Sequence, residues 1–560
     1  MRLFVRIRNS INTFRTAAGY GILAAVFMSL FLCGAGNIPV QSSEPAGEGQ
    51  EALQVILQNH RVQVLGGEEE IFNSDPSWEV QDVLMADFDR DGYKELALLV
   101  WKQGSYGQHR PFWVENDTDE ISQHIFIYRI VSRKAGTAGN SGYKLMPAWM
   151  SSALTFLVKD WIFDSETSVL VISEEDGSRS AWRWEYFGLS EAPMPESMRT
   201  DEIDAEQTRQ QGSPGKEQPG VRVLAAGDVI AHTQILNAAR ARNGQFDFLF
   251  EPIKDHISEA DLAIVNQETP LVLNHYYSGR PPFASPPELA EAYAEAGFDA
   301  VTCATNHMLD RRLQGVLDTA QAIDAVRNGQ GSDLMRVGIR TLEEQDAPGY
   351  TLTEAGGFQI ALLNYTQMTN GQPLPEEAPR CVETLEDEEI VRGQLKEARK
   401  AAELVVVCVH WGTEYAAEED DFQKRWAAIF LEEGVDLVVG AHPHVLQPCA
   451  LYMNADGHKM PVYYSLGNLI SAQDQPERVL GGLAEVSWER GTDGTPRLSA
   501  YELVPVVTHQ ELGDRAVGKA ADYSARLLSD YTQELASRHR LGVTLEKFHI
   551  LFTAITLCKR

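Results

Sequence analysis

The sequence predicts a layered α/β domain, preceded by a smaller mostly-β unit and an N-terminal membrane segment. Three observations carry this. Between residues 221 and 480, short Val/Leu/Ile-rich runs alternate with helical patterns such as PPELAEAYAEAG, LQGVLDTAQAIDAV, IVRGQLKEARKAA and FQKRWAAIFLEEG, as strands covered on both faces require. The runs end on ligand chemistry: VRVLAAGD at Asp228, DLAIVNQE at Glu268, AVTCATNH at His307, LVVVCVHWGTE with His410 and Glu414, DLVVGAHPH with His442 and His444, and VYYSLGN at Asn468. Residues 52–189 instead carry alternating, aromatic-rich stretches such as HIFIYRI and SVLVISEE, the pattern of half-buried strands.

Taken in order, the chain starts with Arg2, Arg6, Arg8 and Arg15 and then has no charged residue until Glu44. Within that gap Ala17 to Cys33 (AAGYGILAAVFMSLFLC) is apolar enough to insert as a helix with its basic flank in the cytoplasm. Residues 1–40 are therefore either a cleaved secretory signal or a single membrane anchor, with the rest extracytoplasmic; Cys33-Gly34-Ala35 offers a small-residue cleavage site. Leu32 before Cys33 fits a lipoprotein signal poorly. Gln41 to Gln50 is a polar linker, and residues 52–189 form the mostly-β unit. A second linker, 190–220, is dense in Glu, Gln, Pro and Gly and reads as exposed. The α/β domain spans 221–480. The stretch 481–560 adds C-terminal strands and a helical extension.

Composition sets further bounds. A chain of 560 residues with 44% hydrophobic residues exceeds one typical core, so two or three folded units are expected. The net charge of −32 excludes non-specific nucleic-acid binding, which needs surplus Lys and Arg. An anionic substrate stays admissible if metal ions and local arginines, with Arg280, Arg311 and Arg312 as candidates, make a positive pocket. The six cysteines include no CxxC pair; Cys303 and Cys408 fall inside strands and read as small core residues, and no disulfide framework is indicated.

In open α/β sheets the functional crevice lies beyond the carboxyl ends of the strands, so these runs would deliver Asp, Glu, Asn and His to one rim. Asp228 follows a strand and a glycine, a place for a cation ligand or for a helix cap. Asn266 and Glu268 alternate and point the same way. Asn306 and His307 end the next run, with Asp310 following. His442 and His444 form an HxH pair that aims two imidazoles at one centre on extended backbone. His232, Asn266, Glu414 and Asn468 are possible additional site residues. Carboxylate, imidazole and amide ligation suits Zn, Mn or Fe in a site able to hold two ions and an activated water. Ser465 has no nucleophile elbow around it and reads as a turn residue.

The blocks GDVIAH, NQET, TNHMLD, HWGTEY, GAHPHVLQ and SLGN, in this order over about Val221 to Ile470, resemble the CapA family, named for poly-gamma-glutamate capsule synthesis and related in fold to calcineurin-like metallophosphoesterases. The resemblance implies a four-layer αββα sandwich with two metals at the strand ends. It implies Asp228 and His444 on one metal, Asn306, His410 and His442 on the other, and Glu268 between them. It places His307, supported by Asp310, as the proton donor to a leaving group. Two positions depart from the phosphoesterase pattern: Ile230 stands where the GDxH histidine would be, and a Glu replaces the usual bridging Asp. The expected role is synthesis, export or anchoring of poly-gamma-glutamate or a similar anionic surface polymer, with capsule-synthesis membrane proteins as partners. A non-catalytic polymer-binding scaffold and a general secreted metallophosphatase are the alternatives.

One further motif lies outside this region. Asp87, Asp89 and Asp91 alternate before Gly92, with Glu95 following, a spacing that wraps carboxylates around Ca²⁺ or forms an acidic surface turn. It is not an EF-hand, because Leu98 holds the twelfth position. It resembles the Asp-rich loop of FG-GAP-type β repeats.

Overall fold

The computed structural model describes residues 53–67, 69–107, 117–132, 143–175, 177–185, 188–195, 198, 220–329, 332–491, 493–514 and 519–556. The expected membrane segment Ala17–Cys33, the linker 41–50 and most of the linker 190–220 lie outside them. Among the described residues no helix is long and apolar enough to cross a membrane.

Two sheets stack face to face. The first runs, edge to edge, through Met335–Val337, Ala300–Thr302, Leu262–Gln267, Gly220–Val229, Leu480–Arg490, Pro496–Thr508 and Ala525–Leu527. The second runs through Thr351–Ala355, Phe358–Thr366, Leu404–His410, Leu437–Ala441, Lys459–Tyr463, Cys449–Asn454, Leu53–Gln58, Arg61–Gly66 and Glu69–Asn73. The ligand-bearing strands pair in parallel within each sheet, so their carboxyl ends share an edge.

Strand alternation explains the unbroken apolar runs. On Leu404–His410, Leu404, Val406 and Cys408 enter the core between the sheets. Val405, Val407 and Val409 enter the core under helices Glu388–Ala401 and Asp421–Glu432. On Gly220–Val229, Val221, Val223 and Ala225 face the other sheet, while Leu224, Ala226 and Val229 pack under helices Thr233–Arg240, Glu288–Ala296 and Arg312–Gly329. A strand with both faces covered must be apolar throughout, and each fully buried side chain contributes about 1.5–3 kcal/mol of transfer free energy. The order is helices, sheet, sheet, helices.

The turn after Tyr463 runs tightly against a strand of each sheet where the site forms. A Cβ on Gly227 would meet the Gly467 carbonyl oxygen at 2.0 Å, and one on Gly440 would meet that of Tyr464 at 1.9 Å. The run VYYSLGN is not one strand: Lys459–Tyr463 belongs to the second sheet, and Asn468–Ile470 pairs with Gly220–Val229 of the first. The connecting turn ties the layers together.

Two expected boundaries are redrawn. Leu53–Gln58 pairs with Cys449–Asn454, so the opening strands of the 52–189 unit continue the second sheet. Both faces of that strand are used: Ile56, between Gln54 and Gln58, joins the core under the helices, while Val55 and Leu57 on the apolar face share a core with Val80, Val83 and Val100. Behind it lie two four-stranded antiparallel sheets, from Glu79 to Met150 and from Val158 to Glu191, joined through Phe88, Leu99, Ile127, Trp161 and Ile172. The boundary at 480/481 falls at the start of Leu480–Arg490, which pairs with Gly220–Val229 and completes the first sheet. Cys303, Cys381, Cys408 and Cys449 are free thiols.

Candidate metal centre

The carboxyl edges of both sheets meet over one buried cluster. Asp228 ends its strand with no exposed surface. Its Oδ1 accepts 2.7 Å from Asn266 Nδ2, and its Oδ2 accepts 3.2 Å from the His442 backbone N–H. His444 Nδ1 lies 3.2 Å from Oδ2, and His410 Nδ1 lies 3.8 Å from Oδ1. Glu268 Oε1 is 3.6 Å from His444 Nε2 and 4.0 Å from His307 Nε2. Asp228, Glu268 and His444 offer ligand atoms that all lie within 4.8 Å of one another.

His410 Nε2 contacts Asn306 Oδ1 at 3.0 Å, and the His410 and His442 rings are 4.9 Å apart. The six residues expected to ligate metal thus come together from strands of both sheets. His442 and His444 have φ of 99° and 60°, so the HxH turn is left-handed rather than extended. Strained conformations of this kind persist where surrounding structure fixes them, and here Asp228 accepts the His442 N–H.

Buried polar atoms are normally hydrogen-bonded, and this cluster departs from that rule. Both Glu268 oxygens, His410 Nδ1 and His442 Nδ1 are buried without a partner. Oxygen and nitrogen lone pairs converging in a dry pocket are what a divalent cation satisfies, so the donor set fits one.

The electrostatics agree. Burial pushes Glu268 up to about 7, with neighbouring histidines opposing. Burial works against ionised Asp228 as well, but its hydrogen bond with His444 and the His410 and His444 charges hold it below the usual carboxylate range. The difference is that Asp228 accepts hydrogen bonds and Glu268 accepts none. Burial also disfavours imidazolium on His444, yet Glu268 and Asp228 raise it to about 9. Burial drives His410 well below, and His442 down to about 4, so both are neutral and free to ligate.

His307 sits beside the cluster with Nδ1 3.0 Å from Asp310 Oδ2. That same oxygen accepts 2.7 Å from the Phe283 N–H, and the Phe283 ring packs edge-on to His307 at 4.9 Å. Burial opposes charge on His307, but the bond to Asp310 and the charge of Glu268 raise it above its ordinary value.

The other sequence-derived candidates divide. Asn266 donates to Asp228 and accepts from Thr302 Oγ1 at 2.9 Å, so it orients a ligand. Asn468 Oδ1 lies 3.1 Å from His444 Nδ1, and its Nδ2 donates to the Arg478 carbonyl at 2.8 Å. Glu414 is exposed at the rim. His232 Nδ1 accepts from the Ala472 N–H at 3.2 Å, and burial with the His444 charge lowers it to about 4. Ser465 donates to the Val445 carbonyl at 2.7 Å and closes the turn. Arg311 donates to the Phe283 and Pro282 carbonyls at 2.9 and 2.7 Å, which fixes its guanidinium on the backbone.

Sequence reasoning missed Phe283, Asn364 and Asn370. Asn364 Oδ1 accepts from the Cys303 and Ala304 N–H groups at 2.9 and 2.6 Å, and its Nδ2 donates to the Cys408 carbonyl at 3.2 Å, clamping the two sheets behind the site. Asn370 lies 3.4 Å from both Asn306 Nδ2 and His307 Nδ1. Asn370-Gly371 was legible as a turn, but nothing local marks what a turn faces.

In the separate Asp-rich loop, ligand atoms of Asp87, Asp89 and Glu95 also lie within 4.8 Å. Glu95 Oε2 accepts from the Phe88 N–H at 2.9 Å, and Asp91 Oδ1 from the Tyr93 N–H at 2.9 Å. Arg129 pairs with Asp89.

Residues 222–473 match the model of the family described as bacterial capsule synthesis protein PGA_cap. The chain is 27% identical over 268 residues to the PGA biosynthesis protein CapA of Bacillus subtilis, covering 47% of this chain and 66% of that one. It is 28% identical over 237 residues to the capsule biosynthesis protein CapA of Bacillus anthracis, covering 40% and 54%. The chain therefore spans under two thirds of either relative. Among solved structures, the NAD nucleotidase of Haemophilus influenzae aligns with a TM-score of 0.30 at 11% identity, over 52% of this chain and 56% of that chain. Residues 222–473 thus match the CapA family.

Proposed function

We propose, from the match of residues 222–473 to the CapA family, that the chain acts in the synthesis, export or anchoring of poly-gamma-glutamate or a similar anionic capsule polymer. It would work outside the cytoplasm, anchored or exported through Ala17–Cys33 beside membrane proteins of capsule synthesis. Asp228 and His444 would hold one divalent ion, with Asn306, His410 and His442 holding a second and Glu268 between them; Mn, Zn and Fe suit these donors. The observation that carries the reading is Glu268, fully buried with neither oxygen hydrogen-bonded, facing His444.

A divalent ion there would supply Lewis-acid polarisation of a phosphoryl or acyl oxygen. The chain's own residues provide the proton. Asp310 fixes the His307 ring through Nδ1, so a protonated His307 carries its second N–H at Nε2, on the side of Glu268, where it can donate to a leaving group. Phe283 excludes water from one face of that imidazole. Asn266 and Asn468 hold Asp228 and His444 in register.

A scaffold without hydrolysis is the second reading, favoured by Ile230 in place of a histidine: His232 does not take over that role through Nδ1, which already accepts from Ala472. A general metallophosphatase would instead hydrolyse a simple phosphodiester. The deciding experiment is metal analysis of the purified chain with His444→Ala, read together with polymer retention at the cell surface. Loss of bound metal and of retention in a folded variant supports the metal-dependent reading. Retention that survives metal loss sinks it in favour of the scaffold. The Asp87–Glu95 loop would take Ca²⁺ as a separate, structural ion.

A further inference from the structure

The rim of the cluster carries a cation that the fold leaves unused. Arg478 lies in the short helical turn Pro476–Val479, with its guanidinium carbon 3.5 Å from the Tyr415 ring centroid. Among the described residues no carboxylate or carbonyl pairs with that guanidinium. Other arginines around the site are engaged: Arg311 on the Pro282 and Phe283 carbonyls, and Arg540 on those of Ala472 and Gln473. A guanidinium stacked by its face on an aromatic ring keeps its in-plane donors free for a planar or tetrahedral oxyanion.

Both halves of the pair are tied to the histidine turn. The Tyr415 N–H donates to the Pro443 carbonyl at 2.8 Å, between His442 and His444, and Tyr415 adopts a left-handed φ of 66°. Its ring is 5.8 Å from that of His444. On the other side, the Arg478 carbonyl accepts from Asn468, whose Oδ1 lies against His444. A non-glycine residue held at positive φ costs about 1 kcal/mol or more, and that cost places a large aromatic ring at the mouth of the site instead of in the core. Glu414, exposed beside it, puts a negative charge on the same rim. Without Arg478 that rim would repel an anionic chain.

We propose that Arg478, laid on Tyr415, is an oxyanion-binding arm that grips a carboxylate or phosphate group of an anionic chain beside the Asp228–Glu268–His444 cluster. The inference deepens the capsule reading and rests on it for the identity of the neighbouring centre. It makes Arg478 a binding residue of that site.

The test is calorimetric titration of the metal-loaded protein with a defined gamma-glutamate oligomer and, separately, with inorganic phosphate, for the parent chain and for Arg478→Gln and Arg478→Lys. Charge-assisted hydrogen bonds of this type set the scale: Arg478→Gln should weaken oligomer binding about tenfold or more, with Arg478→Lys intermediate. Metal content and melting temperature should be unchanged. A loss for the oligomer alone assigns the arm to a carboxylate chain, and a loss for both assigns it to oxyanions in general. If the parent chain binds phosphate through Arg478 but ignores the oligomer, the arm stands and the capsule reading fails. Equal affinity of the parent chain and Arg478→Gln for both probes overturns the proposal, as does a parent chain that binds neither.

Discussion

Two regions of this molecule bring three ligand-type side chains equally close, yet they are built on opposite principles. At the sheet edges, Asp228, Glu268 and His444 lie within 4.8 Å of one another, buried, with both Glu268 oxygens unpartnered. In the Asp87–Glu95 loop the spacing is the same, but Arg129 already pairs with Asp89, and backbone N–H groups satisfy Glu95 Oε2 and Asp91 Oδ1. The first region leaves donors unsatisfied in a low-dielectric pocket, where the penalty is high. The second is only partly neutralised: Asp87 Oδ1 is also buried without a partner, and burial together with the neighbouring aspartates pushes Glu95 up to about 7, so the two regions differ in the number of unsatisfied donors. Proximity of carboxylates alone does not distinguish a metal centre from an acidic turn; the state of the remaining lone pairs does.

The largest expected effect attacks that distinction directly. Glu268→Gln keeps the shape and removes the buried charge. In chelator-treated protein at pH 8 it should raise stability by about 1–2 kcal/mol, because a buried carboxylate whose desolvation the His444 and His307 charges offset only in part no longer has to be ionised. In metal-loaded protein the sign should reverse. An ion present at about 100 times its dissociation constant stabilises the parent chain by about 3 kcal/mol, and the variant should lose most of that. Thermal melts with and without added Mn²⁺ or Zn²⁺ read both. If Glu268→Gln destabilises the metal-free chain, the carboxylate is satisfied in a way the geometry does not show, and the contrast between the two regions fails.

A smaller effect uses a histidine that belongs to neither cluster. His539 is buried with Nε2 3.3 Å from the Thr508 carbonyl and Nδ1 accepting from the Leu541 N–H at 3.2 Å, so its neutral form is fully satisfied, unlike that of His442. Burial lowers it to about 4. Its folded value lies below the unfolded one of roughly 6.5, so its contribution is complete above that pH and is lost as pH falls from 6.5 towards 4. At pH 5, His539→Gln should escape about 2 kcal/mol of the acid destabilisation seen in the parent chain. Urea unfolding at pH 7 and pH 5 measures the difference. An unchanged pH dependence would show that this imidazole is not held neutral by its surroundings.

The same contrast explains what was legible in the sequence. Strand ends carrying Asp228, Glu268, Asn306, His410, His442 and His444 could be read because a strand buried on both faces must be apolar until the polar residue that ends it. Convergence on one rim was expected, but which run enters which sheet was not legible, since VYYSLGN reads as a single run while its halves enter different sheets. Leu53–Gln58 showed the same limit: its apolar face of Leu53, Val55 and Leu57 does not say which sheet it extends. Phe283, Asn370 and Arg478 come from loops, where no periodicity records what a side chain faces. The backbone carbonyls of Pro282 and Phe283 that hold Arg311 leave no mark in composition.

The smallest effect tests the second region. Arg129 is half-exposed while Asp89 is largely buried, so the pair is partly screened and removing the cation changes the local field modestly. Arg129→Gln frees an Asp89 oxygen and deletes a positive charge that competes with Ca²⁺. Calcium affinity should therefore rise about two- to fivefold, the range that exposed ion pairs contribute, visible as a larger calcium-dependent rise in melting temperature. Removal of the guanidinium should leave metal binding at Asp228, Glu268 and His444 untouched, because that cluster lies in other strands and other layers. A parent chain and an Arg129→Gln variant that both ignore millimolar calcium would reduce the Asp87–Glu95 loop to an acidic turn closed by its own arginine. The difference would then lie in the several unpartnered donors of the first region against the single Asp87 Oδ1 of the second.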